Sequence, residues 1–411
     1  MQNAAPPLVR LKPADSLGQA AILRKMYEQA DLNPLVASLI ERAQAVSADP
    51  GAAIDLATIL LAQGGPLAQE GRVMQRAAAR VQPSYQVVHG LGTGLRILAL
   101  VTPGDFMANT PIDFLLSGSD VVLIQHFVDE TTQVLDLPPH DVAFMAVGEG
   151  PENAAVLANL SRLLKNFSGP ILNNAPGLVA RLTRDRVSVM LANVPGVLCP
   201  LNLRVNRTML TAAERTGRFF DYPAVVRPIG SHAGQGLAKV EDADDLRAYL
   251  AVNPEGEFYT APFIDYRGAD GLFSKARIVL IGGKAYASHM ACSPHWMVHY
   301  LNAGMEGNSA RRSVEAAWMA DFEKGFAQRH ATAFKAMAQA VGLDYFGLDC
   351  AELPDGRLLV FELDVAMIVH DMDSEALFPY KKPAMHKLFA AFVEDCRVES
   401  RRFGPWVTGA G

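Results

Sequence analysis

Residues 346–364 read FGLDCAELPDGRLLVFELD, and this stretch decides how the 411-residue chain is read. Two apolar runs, 346–352 and 358–364, flank a Pro354-Asp355-Gly356 turn, the pattern of a β-hairpin with largely buried strands. Side chains alternate along a strand, so Glu362 and Asp364 point the same way and Asp349 joins them from the paired strand. Three carboxylates on one surface of an apolar strand pair repel one another unless cations neutralise them. Divalent metal ions held against phosphate groups are the economical neutraliser. A Glu-x-Asp on a solvated strand edge needs no such partner, and the apolar remainder of both runs weighs against that reading.

Working outward, the preceding segments supply positive charge. Residues 273–283 (FSKARIVLIGG) place Lys275 and Arg277 on one face of a strand, with 284–290 as its hairpin partner. Residues 257–265 (EFYTAPFID) are a further β-rich run. Residues 222–229 (YPAVVRPI) form a strand carrying Arg227 near its end, followed by 230–236 (GSHAGQG) and a second strand at 237–240. The hairpin therefore presents a glycine-rich tip whose backbone N–H groups can approach phosphate oxygens, beside the fixed charge of Arg227. Neither GxGxxG nor GxxxxGK[ST] occurs at the earlier strand ends, so a dinucleotide or P-loop reading lacks its signature.

Before residue 180 the pattern changes. Apolar runs at 96–101 (RILALV), 121–125 (VVLIQ) and 142–147 (VAFMAV), with a strand start at 170–173, alternate with helical stretches at 111–117 and 152–166. That alternation predicts βαβ units and a small parallel sheet. Residues 16–83 read as helices throughout, with apolar positions at helical spacing in 36–46, 54–61 and 73–81. Pro50 and Pro83 stand 33 positions apart, and a helix, Gly64-Gly65 and a second helix lie between them. This segment resembles tetratricopeptide repeats, whose period is about 34 residues; an unrelated helical cap fits equally well. The expected division is a helical domain at 1–90, a small α/β domain at 91–175 and a larger α/β part at 176–411.

Half of the residues are apolar, 19% are charged and the net charge is −6. A mostly disordered chain is excluded, and a nucleic-acid partner is disfavoured because phosphate neutralisation needs a Lys/Arg excess. Cys199, Cys292, Cys350 and Cys396 are far apart with no CxxC pair, as expected of free thiols in a reducing compartment. The first residues (MQNAAPPLVRLKPADS) lack the apolar core of a secretory leader, and no window nears the ~18–20 apolar residues of a membrane span. A cytoplasmic chain with no membrane partner is the expectation.

Taken in order, these segments resemble the ATP-grasp superfamily, in particular its carboxylate–amine ligase branch, which includes glutathione synthetase and the RimK-like enzymes. The resemblance spans roughly residues 170–380, and 95–170 resembles the small domain that precedes ATP-grasp folds. It implies an α/β fold with α+β ATP-grasp lobes, and ATP and Mg²⁺ as cofactors. It further implies that Arg186, opening a helix, and Arg227 contact phosphate, and that Gly230, Ser231, Gly234 and Gly236 belong to a loop closing over ATP. Phe263 and Ile264 match the adenine-binding segment, Asp265 a ribose contact, and Arg277 a cation facing the transferring phosphoryl group. Asp349, Glu362 and Asp364 match the metal ligands. The sequence departs from the family in having arginines for both phosphate lysines and Asp364 for a usual asparagine, which preserves a cation and an oxygen ligand respectively.

The implied reaction is phosphorylation of a carboxylate by Mg-ATP and capture of the acylphosphate by an amine. Residues 289–305 (HMACSPHWMVHYLNAGM) match the region where related ligases hold the acceptor, making His289, His295, His299 and Asn302 the substrate-binding candidates. His232, in the glycine-rich tip, joins Arg277 as a catalytic candidate. The expected partners are a small carboxylate or amino acid and an amine, or a peptide held by the N-terminal helices; a homodimer is allowed. Two other readings stay open: an ATP-grasp kinase that stops at phosphoryl transfer, and a peptide-binding scaffold with a degenerate nucleotide site.

Overall fold

Ile97, Leu98, Ala99 and Leu100 are wholly buried in the middle of a six-stranded sheet. Their alternating side chains enter two separate cores, one completed by helix Ala154–Leu163 and the other by helix Lys381–Arg402. The run is apolar without alternation because both faces are covered. The computed structural model describes residues 12–216, 221–231 and 234–402. The sheet comprises β1 (Ala14–Asp15), β2 (Ser84–Val88), β3 (Arg96–Val101), β4 (Val122–Phe127), β5 (Val142–Met145) and β6 (Ile171–Leu172), in the order β1-β2-β4-β3-β5-β6. Strands β4, β3, β5 and β6 run parallel, as the βαβ reading predicts.

Two expectations need correction. The sheet is mixed, because β2 pairs antiparallel with β4, and it begins before the expected boundary at residue 91. The signal lies in Ser84–Val88, where Tyr85 and Val87 alternate inward. The N-terminal segment forms helices Gln19–Tyr27, Asn33–Gln44, Pro50–Gln63 and Gly65–Val81. Gly71 lets the last two approach closely, since a Cβ there would lie 2.8 Å from Leu61 N. This segment is tied to the sheet rather than set apart from it. Buried Asp55 accepts from Ser16 Oγ at 2.7 Å, Asp113 accepts from Ala20 N at 2.6 Å, and Arg24 pairs with Asp371.

A second sheet contains β8 (Leu203–Asn206), β9 (Ala224–Pro228), β10 (Ala238–Val240) and β11 (Glu257–Pro262), all antiparallel in the order β10-β9-β11-β8. Val205, Val226 and Phe258 pack there on Leu210, Leu246 and Leu250 of the covering helices. The third sheet joins β7 (Val197–Leu198) to β12 (Phe273–Ile281), β13 (Lys284–Ser293), β14 (Tyr345–Glu352) and β15 (Leu358–Asp364), in the order β13-β12-β14-β15-β7. The hairpin at 346–364 is thus realised as β14 and β15. All four cysteines are free thiols. Among the described residues no helix is long and apolar enough to cross a membrane.

Candidate functional site

Strand register builds the site. His289, Arg277, Asp349 and Glu362 fall opposite one another on β13, β12, β14 and β15, so one row of the third sheet carries a base, a cation and two carboxylates. Register shifts follow Arg277 and Asp349, where bulges re-aim the side chains beside them. Lys275, two residues before Arg277, shares its face. Asp364 stands opposite Gly347, where an added Cβ would lie 2.7 Å from Met367 Sδ, so the glycine lets the Met367 side chain pack close against the strand.

Asp349 is held by two cations. Lys275 Nζ lies 2.7 Å from its Oδ2, and Arg277 donates through Nε at 2.8 Å and Nη2 at 3.1 Å. Burial would raise this carboxyl, but Arg277 and Lys275 hold it well below the usual carboxylate range. Burial also opposes the Glu362 charge, and Arg184, which pairs directly with that carboxylate, outweighs it together with Lys275 and Arg227. Asp364 has no such cation. Its burial, then the nearby Glu362 and Glu149 carboxylates, push it up to about 7 against one hydrogen bond from Ala366 N.

Three cavities meet at this cluster. The first, of about 380 Å³, lies between the second and third sheets. Val225, Leu237, Ala261, Phe263, Ile264 and Trp296 form its apolar part, and Arg184, Arg227, Lys275, Arg277, Asp349, Glu362 and Asp364 its charged part. Phe263 packs edge-on to Trp296, and Lys239 Nζ sits 4.1 Å from the Phe263 ring centroid. The second, of about 360 Å³, is lined by Gly230, Ser231, Arg186, Arg204 and Glu149, and shares Arg184, Arg227, Glu362 and Asp364 with the first. The third, of about 190 Å³, shares Lys275, Arg277, Asp349 and His299 with the first and reaches back to His289, His370 and Lys381.

The expected residues sort as follows. Arg227, Gly234, Phe263, Ile264, Arg277, His299, Asp349, Glu362 and Asp364 line the first cavity. Gly230 and Ser231 line the second, where Arg227 donates to the Ser231 carbonyl and hydroxyl and braces the stem of the glycine-rich tip. Burial, then Arg184, push the Arg227 guanidinium down to about 10. Gly236 sits at φ 62 against Pro228, below the tip. His232 lies outside the described residues.

Five residues, Asp349 among them, differ from expectation. Arg186 is exposed on the rim of the second cavity, reaching Ala180 O at 3.4 Å. Asp265 is exposed and pairs with Arg267, two residues on, which occupies its carboxylate at the surface. His295 and Asn302 are exposed, and Asn302 Oδ1 accepts from His299 N at 2.9 Å, a turn contact. Asp349 is taken up by Lys275 and Arg277, and among the described residues no three His, Cys, Asp or Glu side chains converge to hold a metal alone. The Phe263 N–H is also committed, donating to Pro223 O at 3.0 Å.

Arg184 takes the place expected of Arg186. It opens helix Arg184–Leu191 at the i, i+3, i+4, i+7 spacing of buried Val187, Ser188 and Leu191, so it shares the inward face, whereas Arg186 is rotated away. That spacing is visible in the sequence and would have singled it out.

No family model and no curated protein matches the chain. Solved structures that resemble it include the D-alanine–D-alanine ligase of Bacillus anthracis complexed with ATP, at 15% identity over 75% of this chain and 100% of that one, with a TM-score of 0.44. The D-alanine–D-alanine ligase of Coxiella burnetii is 11% identical over 75% and 97%, with a TM-score of 0.45. A RimK domain ATP-grasp protein of Sphaerobacter thermophilus is 17% identical over 72% of this chain and 99% of that one, with a TM-score of 0.39.

Proposed function

We propose that the chain is an ATP-grasp enzyme that activates a carboxylate with ATP and joins it to an amine. The observation that carries this reading is the first cavity. An apolar cleft suited to a flat base ends in four cations, Arg184, Arg227, Lys275 and Arg277, facing three carboxylates from a single hairpin. A polyphosphate is the ligand class that matches several convergent guanidinium groups. Gly230, Ser231 and Gly234, on either side of that tip, line the first two cavities, and closure of their backbone over a bound ligand would shield the reacting end from water.

Mg²⁺ fits the pair Glu362 and Asp364 better than the expected trio. Mg²⁺ bound with phosphates needs only one or two protein carboxylates, and Asp364 is a partly buried carboxylate with no ion-pair partner among the described residues. When bound, the ion would neutralise phosphate charge. The chain's own part is to hold and orient. Arg227 and Arg184 lie where the phosphate tail would enter, and Arg277 and Lys275 where the terminal phosphoryl group meets the third cavity. In the first step an oxygen of the carboxylate bonds to the terminal phosphorus and ADP leaves. In the second the amine nitrogen attacks the acyl carbon, phosphate leaves and the nitrogen gives up a proton. Burial, then Arg277 and Lys381, depress the His289 imidazole well below its ordinary value, so it is a neutral base at physiological pH.

Calorimetry with Mg-ATP, followed by ADP release across a panel of carboxylates and amines, tests the proposal. ADP and phosphate should appear only with both acceptors present. ADP with a carboxylate alone and a stable phosphorylated product indicates the kinase instead, and absence of nucleotide binding removes both. A cytoplasmic setting and a peptide held by the N-terminal helices belong to the same proposal.

A further inference from the structure

Residues 365–373, which follow β15, belong to neither a helix nor a strand, yet they line two of the three cavities. Met367 and Ile368 wall the first cavity, and Ile368, His370 and Asp373 line the third, where Asp373 Oδ2 lies 3.3 Å from Lys381 Nζ. Ile368 O accepts from Arg277 Nη1 at 3.0 Å, so the guanidinium nitrogen not engaged by Asp349 depends on this strap. A segment with no ladder of its own keeps one conformation only if its surroundings hold it. Here several grips come from the N-terminal part of the chain. Thr110 Oγ1 donates to Val365 O at 2.9 Å, and Gly148 lets the backbones pass closely, since a Cβ there would lie 2.7 Å from Ala366 Cβ. Val369 shares a core with Ile112 and Leu115, and the His370 ring lies 6.2 Å from that of Phe114.

One grip is ionic and spans 347 positions of sequence. Asp371, whose side chain is 3% exposed, accepts from Arg24 of helix Gln19–Tyr27 and meets His386 Nε2 at 2.9 Å. Arg24 also donates to Ser117 Oγ at 3.0 Å and lies 5.9 Å from the Phe114 ring centroid, so its guanidinium bridges the end of helix Ile112–Leu115 and the strap. Burial would raise the Asp371 carboxyl, and His386 and Arg24 bring it below its ordinary value instead. The helix itself buries only Ala20 and Ile22, so polar contacts carry much of its attachment. None of its residues lines the first cavity. We propose that Arg24 is a positioning residue for the nucleotide cleft: its pairing with Asp371 lets the N-terminal helix hold the strap, and the strap sets Met367, Ile368 and Arg277 for the nucleotide. The inference rests on the ATP-dependent reading of that cleft. A contact that merely docks the helix is indifferent to ligand. One that orders a wall of the cleft is linked to it in both directions, so bound nucleotide must tighten the helix as well as the strap.

The test is amide exchange of the full-length chain, followed by mass spectrometry, with and without saturating magnesium adenylyl imidodiphosphate, a nucleotide that resists hydrolysis. Exchange should slow by at least about fivefold in residues 19–27 and 365–373, the lower end of a coupling between two sites. Calorimetry with the same nucleotide should show its Kd raised by at least about fivefold in Arg24→Ala and in Asp371→Asn. The double variant should bind no more weakly than either single one, because both remove the same interaction. Arg24→Lys, which keeps the charge, should bind more tightly than Arg24→Ala. Exchange in residues 19–27 that ignores bound nucleotide in the unaltered chain overturns the inference, and that measurement needs no variant to fold. So does a Kd within about twofold of the unaltered value in both single variants, or losses that add in the double variant. Failure of the unaltered chain to bind the nucleotide overturns the reading of the cleft, and this inference with it.

Discussion

The six-stranded sheet and the charged cleft both bury polar groups, but they satisfy them differently. In the sheet most buried polar groups find a partner inside the chain, the Tyr85 hydroxyl being an exception among the described residues. Ser84 Oγ meets His126 Nδ1 at 2.8 Å across β2 and β4, and Asn153 Nδ2 donates to Ala108 O and Gly148 O at 3.0 Å each. Asn173 links β6 to β14 through Tyr345 by a hydrogen bond in each direction. In the cleft the accounts stay open: Asp364 is pushed up to about 7, and Arg227 and Arg184 lie near each other with one carboxylate, Glu362, between their charges. A chain selected for stability alone would fill that position with apolar residues. The contrast separates groups that hold the fold from groups held ready for a ligand.

The largest expected effect falls on the cleft. Glu362→Gln should lower ADP release by at least 100-fold, in the range for losing one charged group at a phosphoryl site, while the variant still folds and unfolds cooperatively in urea. Near-normal turnover in Glu362→Gln would move the reactive site elsewhere and break the comparison.

Much of this contrast is legible in the sequence, and the limits are physical. Asp349, Glu362 and Asp364 could be placed on one surface because strand alternation and a tight turn are local rules. The strands at 96–101 and 142–145 are legible because their apolar runs are uninterrupted. What the sequence did not disclose is long-range. That Asp349 is consumed by Lys275 and Arg277 depends on β12 lying beside β14, a pairing between residues 72 positions apart. The choice between Arg184 and Arg186 is the exception, a local matter of helix phase that the spacing of Val187, Ser188 and Leu191 carries. Asp373 and Lys381 carry no motif and meet only because the segment after β15 folds back over the third sheet.

Asp349 offers the next test. Replacing it with Asn leaves Lys275 and Arg277 without their carboxylate, and removing one partner of a buried ion pair costs about 3–5 kcal/mol. Urea unfolding of Asp349→Asn should show a loss of that order, and inorganic tripolyphosphate should restore more stability to the variant than to the unaltered chain, because it answers the exposed cations. Equal gains in both proteins would mean that these cations do not bind phosphate.

The sheet should respond to acid rather than to ligand. Burial lowers the His126 pKa to about 4 from 6.5. A histidine with a depressed folded-state value takes up its proton first in the unfolded chain. Its contribution is therefore complete above pH 6.5 and is lost as the pH falls toward 4, by about 3 kcal/mol in total. His126→Gln should flatten that part of the stability curve, measured by urea midpoints at successive pH values, with no change in nucleotide affinity. A shift in affinity would join the two regions that the comparison separates.

The smallest effect belongs to the N-terminal helices, where local rules are strongest. Asp49 caps helix Pro50–Gln63 by accepting from Gly51 N at 2.9 Å and Ala52 N at 3.3 Å. It also receives the Arg42 guanidinium, which together with the two amides draws its carboxyl down despite partial burial. Asp49→Ala should cost about 1 kcal/mol, the usual value of a helix cap, and leave turnover unchanged. The same helix carries buried Asp55, which anchors Ser16 and Leu17 beside β1. A loss well above 1 kcal/mol would therefore show that the cap also secures the junction between helices and sheet, making the N-terminal segment part of the same folding unit as the six strands.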